Sequence, residues 1–173
     1  NNSSTNGLYG INLSDYASIK NGSYGKLMKN YYAMEEGEDK NKTNSKNDTD
    51  DSDATLASIK RSTSDLKESA SEIYSSKSLF AKNADGEYDM EAIYEKVNAF
   101  IEDYNSVIES VGSAETDSIA NAGANLVNAT TNNLEMLAKM GISVSGSDFT
   151  LSINKDKFME ANIADVKSMF SGV

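Results

Sequence analysis

The chain has 173 residues and a formal net charge of −11, from 27 acidic and 16 basic side chains, and it contains no His, Cys, Trp or Pro. Without His, no side chain titrates near neutrality unless its pKa is shifted. Without Cys there is no thiolate nucleophile, disulfide or zinc–thiolate site. These absences argue against an enzyme, and we expect no catalytic residue, no cofactor and no metal site.

Charge and hydropathy also argue against two classes of partner. Nucleic-acid binding relies on Lys and Arg that displace counterions from phosphates, so an acidic chain predicts no nucleic-acid partner. No apolar run approaches the ~20 residues that a membrane-spanning helix needs, so no membrane span is expected. Leu, Ile, Val and Phe make up about 19% of the chain, which predicts one domain joined to segments that lack a core.

Residues 1–34 predict a tyrosine-rich N-terminal arm. Tyr9, Tyr16, Tyr24 and Tyr31 recur every seven or eight residues, with scattered aliphatic residues on the same stripe. Helical segments are expected over 14–20 and 24–34, separated by glycines that weaken a helix interior. Such an arm is expected either to pack on the main body or to dock on a neighbouring subunit.

Residues 35–53, with the sequence EEGEDKNKTNSKNDTDDSD, contain no aliphatic or aromatic side chain. A segment of this kind cannot bury enough surface to offset an ordering entropy of ~1–2 kcal/mol per residue. It is predicted to be an acidic flexible linker or loop. The spacing of Asp48, Asp50 and Ser52 resembles the opening of an EF-hand loop, but the central Gly is missing and position twelve is Ile59, so no calcium site is expected.

Residues 54–173 carry the apolar periodicity of a mainly α fold, an antiparallel bundle or coiled-coil stem of three long helices. Apolar residues recur at alternating spacings of three and four, which is the a/d pattern of packed helices. Asp53 is the expected N-cap of the first helix, the segment 83–86 is an expected turn, and the third helix is expected over about 116–140. The predicted helix-packing seam consists of Leu56, Ile59, Leu66, Ile73, Ile93, Val97, Phe100, Tyr104, Val107, Val111, Leu126 and Leu137.

A small β-hairpin is predicted near 142–153, because Gly141 can end the third helix and short alternating segments flank a Ser-Gly-Ser-Asp turn. Its apolar residues, expected to brace the end of the stem, are Ile142, Val144, Leu151 and Ile153. Asn154 is the expected cap of a short helix over 155–160, and a second short helix is expected near 164–170.

Four segments of this region resemble the C-terminal part of the bacterial flagellar filament-cap family, also called flagellar hook-associated protein 2. Their order and approximate spacing agree with the family, over about half of the chain. The segments are VNAFIEDYNSVI at 97–108, LAKMGISV at 137–144, FTLSINKDKF at 149–158 and DVKSMFSG at 165–172.

The resemblance implies a helical stem that pairs with neighbouring subunits at the filament tip and works by packing and assembly. The implied partners are copies of the chain itself or flagellar axial proteins, namely hook-associated proteins and flagellin. The implied location is the bacterial flagellum or the extracellular space. A second hypothesis remains open: a non-flagellar helical interaction module, at the surface or in the cytoplasm, that shares only the stem architecture.

Overall fold

The structure, a computed structural model, describes residues 25–36 and 51–172. The predicted helix over 14–20 and most of the predicted acidic linker lie outside these residues. Within the described part the chain is mainly helical, with 68% helix in seven helices and one two-stranded antiparallel sheet. The predicted mainly α fold with a small hairpin is therefore confirmed, whereas a bundle of three long helices is not.

The elements follow one another along the chain in a simple order. They are α1 (Gly25–Glu35), α2 (Asp53–Ser75), α3 (Met90–Gly112), α4 (Asp117–Thr131), α5 (Leu134–Lys139), β1 (Ile142–Val144), β2 (Leu151–Ile153), α6 (Lys155–Met159) and α7 (Ile163–Phe170). Helix α3 is central, since it packs against α2, α4, β2 and α6, while α1 packs mainly on α4.

Helices α2 and α3 form an antiparallel hairpin, as the turn chemistry predicted. Gly86, in the connection, adopts a φ of +82°. A residue with a Cβ adopts such a backbone angle only at a cost in conformational free energy. The N-cap of α2 differs from the prediction: the hydroxyl of Ser52, one residue before Asp53, accepts a hydrogen bond from the Thr55 N–H at 3.2 Å. Asp53 is instead the first helical residue, where its negative charge interacts favourably with the positive end of the helix dipole.

The predicted third helix is interrupted. Asn132 and Asn133 lie between α4 and α5, and the Asn133 amide donates to the Ala129 carbonyl at 2.8 Å. An Asn side chain that bonds a nearby backbone carbonyl competes with the helical ladder, which explains why Asn disfavours helix interiors. Two shorter helices therefore replace one long helix, and Asn133, which lies four residues before the seam residue Leu137, is exposed.

The β-hairpin forms close to where the sequence predicted it, with Ile142 paired to Ile153 and Val144 to Leu151. Gly141, at a φ of +73°, separates α5 from β1 as expected. Phe149, which alternates with Leu151 and Ile153 in the sequence, lies in the connection and not in the second strand, with a φ of +60°. Its ring is buried and meets the ring of Tyr31 edge-on with 4.8 Å between centroids, so packing against α1 stabilises the unusual backbone.

One contiguous hydrophobic core runs through the described residues and includes α1. Leu27 and Met28 are fully buried, and Tyr31 is 2% exposed. Gly123 on α4 permits this close approach, because a Cβ there would lie 2.8 Å from both Leu27 Cδ1 and Val111 Cγ2. Residues 25–34 of the predicted N-terminal arm are thus part of the folded body.

Candidate functional site: the α2 flank and an apolar groove

The predicted seam residues on α3 face the chain's own elements. All but Phe100 are buried: Ile93, Val97, Tyr104, Val107 and Val111. Phe100 is half-buried, and its ring meets Phe170 of α7 edge-on at 5.9 Å between centroids. Because α3 is surrounded by α2, α4, β2 and α6, these side chains hold the monomer together in this structure.

The face of α2 that meets α3 is shifted relative to the predicted seam and is more polar. Thr63, which continues the three-and-four spacing between Ile59 and Leu66, is exposed, whereas its neighbour Ser62 is buried. The Ser62 hydroxyl lies 2.8 Å from that of Ser110 on α3. Small hydroxyl side chains let two helices approach closely, and the hydrogen bond between them offsets the cost of burial. Periodicity did not reveal this pair, since apolar spacing alone does not register a serine as a core residue.

Helix α2 lies at the edge of the body, packing chiefly on α3 and making a small contact with α7. Of its predicted seam residues only Ile73 is buried, while Leu56, Ile59 and Leu66 are half-buried. Ile59 and Leu66 pack against the core, but Leu56 lies outside the contiguous core formed by the described residues. The apolar stripe formed by Leu56, Ile59 and Leu66, here called the α2 flank, is therefore left partly uncovered by the described part of the chain.

Asn105 of α3 fixes the hairpin to the helix. Its amide Nδ2 donates to the Leu151 carbonyl at 2.9 Å, and its Oδ1 accepts from the Leu151 N–H at 2.7 Å. A primary amide can satisfy both backbone groups of one residue because it holds a donor and an acceptor. Of the predicted bracing residues, Ile142 and Leu151 are buried and Val144 and Ile153 are half-buried. An Asn in the middle of an apolar helix is a sequence signal for a buried hydrogen bond. The apolar periodicity did not identify Asn105, because it takes only apolar residues into account.

A polar junction ties α1, α2 and α4 together. The Asp51 carboxylate accepts hydrogen bonds from the backbone N–H groups of Glu115 at 2.7 Å and Thr116 at 2.9 Å. Partial burial raises the pKa of Asp51, but these hydrogen bonds outweigh it and hold that pKa below its usual value. Lys26 of α1 lies 3.5 Å from both Glu115 Oε2 and Asp117 Oδ1. Asp51, assigned from sequence to the flexible linker, is thus hydrogen-bonded to the body.

An apolar groove of about 500 Å³ opens beside α2, between it and α3, α4 and α7. Leu126 and Leu137, both predicted seam residues, line it; Leu126 is half-buried and Leu137 is buried. At its rim Tyr74 is 63% exposed. Large apolar side chains around an open cavity are characteristic of a surface that receives another apolar group.

Tyr104 forms part of the groove wall, and its hydroxyl group has an unusual environment. Its hydroxyl is buried and has no hydrogen-bond partner among the described residues. The nearby Thr130 hydroxyl donates to the Leu126 carbonyl at 3.0 Å instead. Burial raises the pKa of Tyr104 to about 12, so the phenol is neutral at physiological pH.

The described residues contain no group of three or more acidic side chains placed to hold a metal ion. In the same part of the chain, no helix combines the length and hydrophobicity needed to cross a bilayer. No family model matches the chain, and neither a curated protein nor a solved structure is significantly similar to it.

Proposed function

We propose that the chain is a non-catalytic structural module that assembles through helix packing with neighbouring subunits. The observation that supports this proposal is the α2 flank, the apolar stripe in which Leu56, Ile59 and Leu66 stay half-buried because α2 packs chiefly on one helix. A helix that buries its apolar stripe against a neighbour in an assembly leaves it partly uncovered in the isolated chain.

The resemblance to the filament-cap family gives this proposal its specific form. In it, α2 and α3 act as a short stem, and the partners are copies of the chain, hook-associated proteins or flagellin on the bacterial flagellum. The stem is about 35 Å long, since each helix has 23 residues with a rise of about 1.5 Å.

Sedimentation velocity of the full chain over a range of concentrations tests the assembly part. We expect the wild type to self-associate, and Leu56→Asp to weaken association by about tenfold or more, because burying one Leu contributes about 1.5–3 kcal/mol. Leu56 suits this test since it lies outside the core, so its substitution should leave the fold intact. Ser64→Asp, an exposed position on the same helix, is the matched control and should behave as the wild type.

A wild type that stays monomeric throughout, or equal behaviour of the two variants, would count against the α2 flank as an assembly surface. The flagellar part is tested separately, by immunoblotting sheared flagella, cell envelope and cytosol of the native organism. Enrichment with sheared filaments supports it. Confinement to the cytosol would instead favour a non-flagellar helical interaction module.

A further inference from the structure

We propose that the apolar groove is the docking site of the chain's own N-terminal segment, residues 8–19, from the same molecule. This inference goes beyond the assembly role and uses a different surface, since the groove lies at the Tyr74 end of α2 and the proposed assembly residue Leu56 lies near its start.

The groove has the chemistry of a site for an apolar peptide segment. Its wall combines side chains from α2, α3, α4, α5, both strands and α7, nearly all aliphatic or aromatic. Phe100, Leu126, Met169 and Phe170 line it and remain half-buried. An apolar surface of this kind is stabilised when a second apolar surface excludes water from it, at roughly 25 cal/mol per Å² buried.

The N-terminal sequence supplies such a surface. Residues 8–19 read LYGINLSDYASI, with six large apolar or aromatic side chains among twelve and one charge. The same stripe continues into α1, where Leu27, Met28 and Tyr31 are buried in the core. The groove offers an apolar surface of the kind that side chains of this composition bury against.

The chain is long enough to reach. Residue 25 lies near the start of α4, because Lys26 contacts Glu115 and Asp117. From Asp117 to Ala129 at the groove is about 18 Å along the helix, at a rise of about 1.5 Å per residue. The twelve residue-to-residue steps from Leu13 to Gly25 span up to about 40 Å when the chain is extended. A tether this short gives an effective concentration of the order of mM, which favours the same molecule over a second copy.

Paramagnetic relaxation measurements on the full chain test this proposal directly. The chain has no Cys, so Asn12→Cys gives one attachment site for a nitroxide. In an isotope-labelled, spin-labelled chain diluted with excess unlabelled wild type, we expect strong broadening of the Ala129 and Met169 amides. The Ala57 amide, at the far end of α2, should stay sharp.

Two variants on α4 separate docking from general changes in stability. Ala129 and Ala122 are both exposed on the same helix, but only Ala129 lines the groove. Ala129→Glu should abolish the broadening of groove amides by placing a charge in the groove, whereas Ala122→Glu should leave it unchanged.

On the segment itself, Leu13→Asp should raise the fluorescence of a hydrophobic dye by uncovering the groove. Ser18→Asp, with the same added charge, should not.

A second sample identifies the source of the segment. In it, isotope-labelled Cys-free chain is mixed with spin-labelled chain that carries no isotope, so only contacts between molecules cause broadening. Broadening in this sample alone would overturn the proposal and assign the groove to a second copy. Absence of broadening in both samples would overturn it as well. Neither result depends on the Leu56→Asp test, so the assembly role stands or fails separately.

Discussion

The contacts of Asn105 are the residue-scale feature with the clearest energetic consequence. Asn105→Ala removes both hydrogen bonds to Leu151 and leaves a backbone donor and acceptor of a buried residue without partners. We expect the free energy of unfolding to fall by about 2–3 kcal/mol, since each unsatisfied buried group costs about 1–3 kcal/mol. Urea unfolding followed by circular dichroism measures this change.

Asn98 on the same helix provides the matched control. Its amide donates at 2.8 Å only to the exposed side chain of Glu102, one turn further along. A bond of this kind contributes about 0.2–0.5 kcal/mol, so Asn98→Ala should have little effect on unfolding. Similar losses for both variants would mean that Asn105 acts only through helix propensity and does not anchor the hairpin.

At the scale of elements, much of the secondary structure follows from local sequence. The turn at Gly86, the helix end at Gly141 and the cap at Asn154, whose side chain accepts from the Lys157 N–H at 2.9 Å, are local effects. The phase of α2 is not local, because the choice between Ser62 and Thr63 as the buried residue depends on Ser110 across the interface. The groove could not be predicted either, since it requires the mutual arrangement of elements that periodicity leaves open.

The junction of α1, α2 and α4 gives a prediction at the same scale. Asp51→Asn replaces one of two accepting oxygens with an amide nitrogen that faces a backbone N–H. We expect a loss of about 1 kcal/mol at pH 7, comparable with the loss of a helix cap. Differential unfolding of the variant and the wild type over a pH series measures it, with Asp53→Asn as a control that leaves the junction intact.

The pH dependence of this loss has a definite sign. The pKa of Asp51 is lower in the folded chain than its usual value of about 3.9, so its stabilising contribution is complete above that value. The contribution disappears as the pH falls through the folded-state pKa. The difference between wild type and Asp51→Asn should therefore shrink in strong acid. A difference that stays constant between about pH 7 and pH 2 would show that the carboxylate's charge is not what stabilises the junction.

At the scale of the whole molecule, charge opposes both folding and the proposed assembly. The net charge is −11, while the described residues hold only four ion pairs, all between partly exposed side chains. Exposed pairs contribute about 0–1 kcal/mol each and are screened by salt, whereas the repulsion acts across the whole surface. Repulsion should therefore outweigh the ion pairs when the ionic strength is low.

Raising the salt concentration should consequently stabilise the chain and promote its association. The Debye length falls from about 30 Å at 0.01 M to about 8 Å at 0.15 M, which removes most long-range repulsion. We expect the melting temperature to rise by about 2–4 °C over this range, equivalent to about 1 kcal/mol for a chain of this size. Self-association in sedimentation should strengthen in parallel for the wild type.

Leu56→Lys makes the charge less negative but removes an apolar contact, so it should still associate weakly at high salt. Strong association of Leu56→Lys would show that charge, rather than the apolar flank of α2, controls assembly.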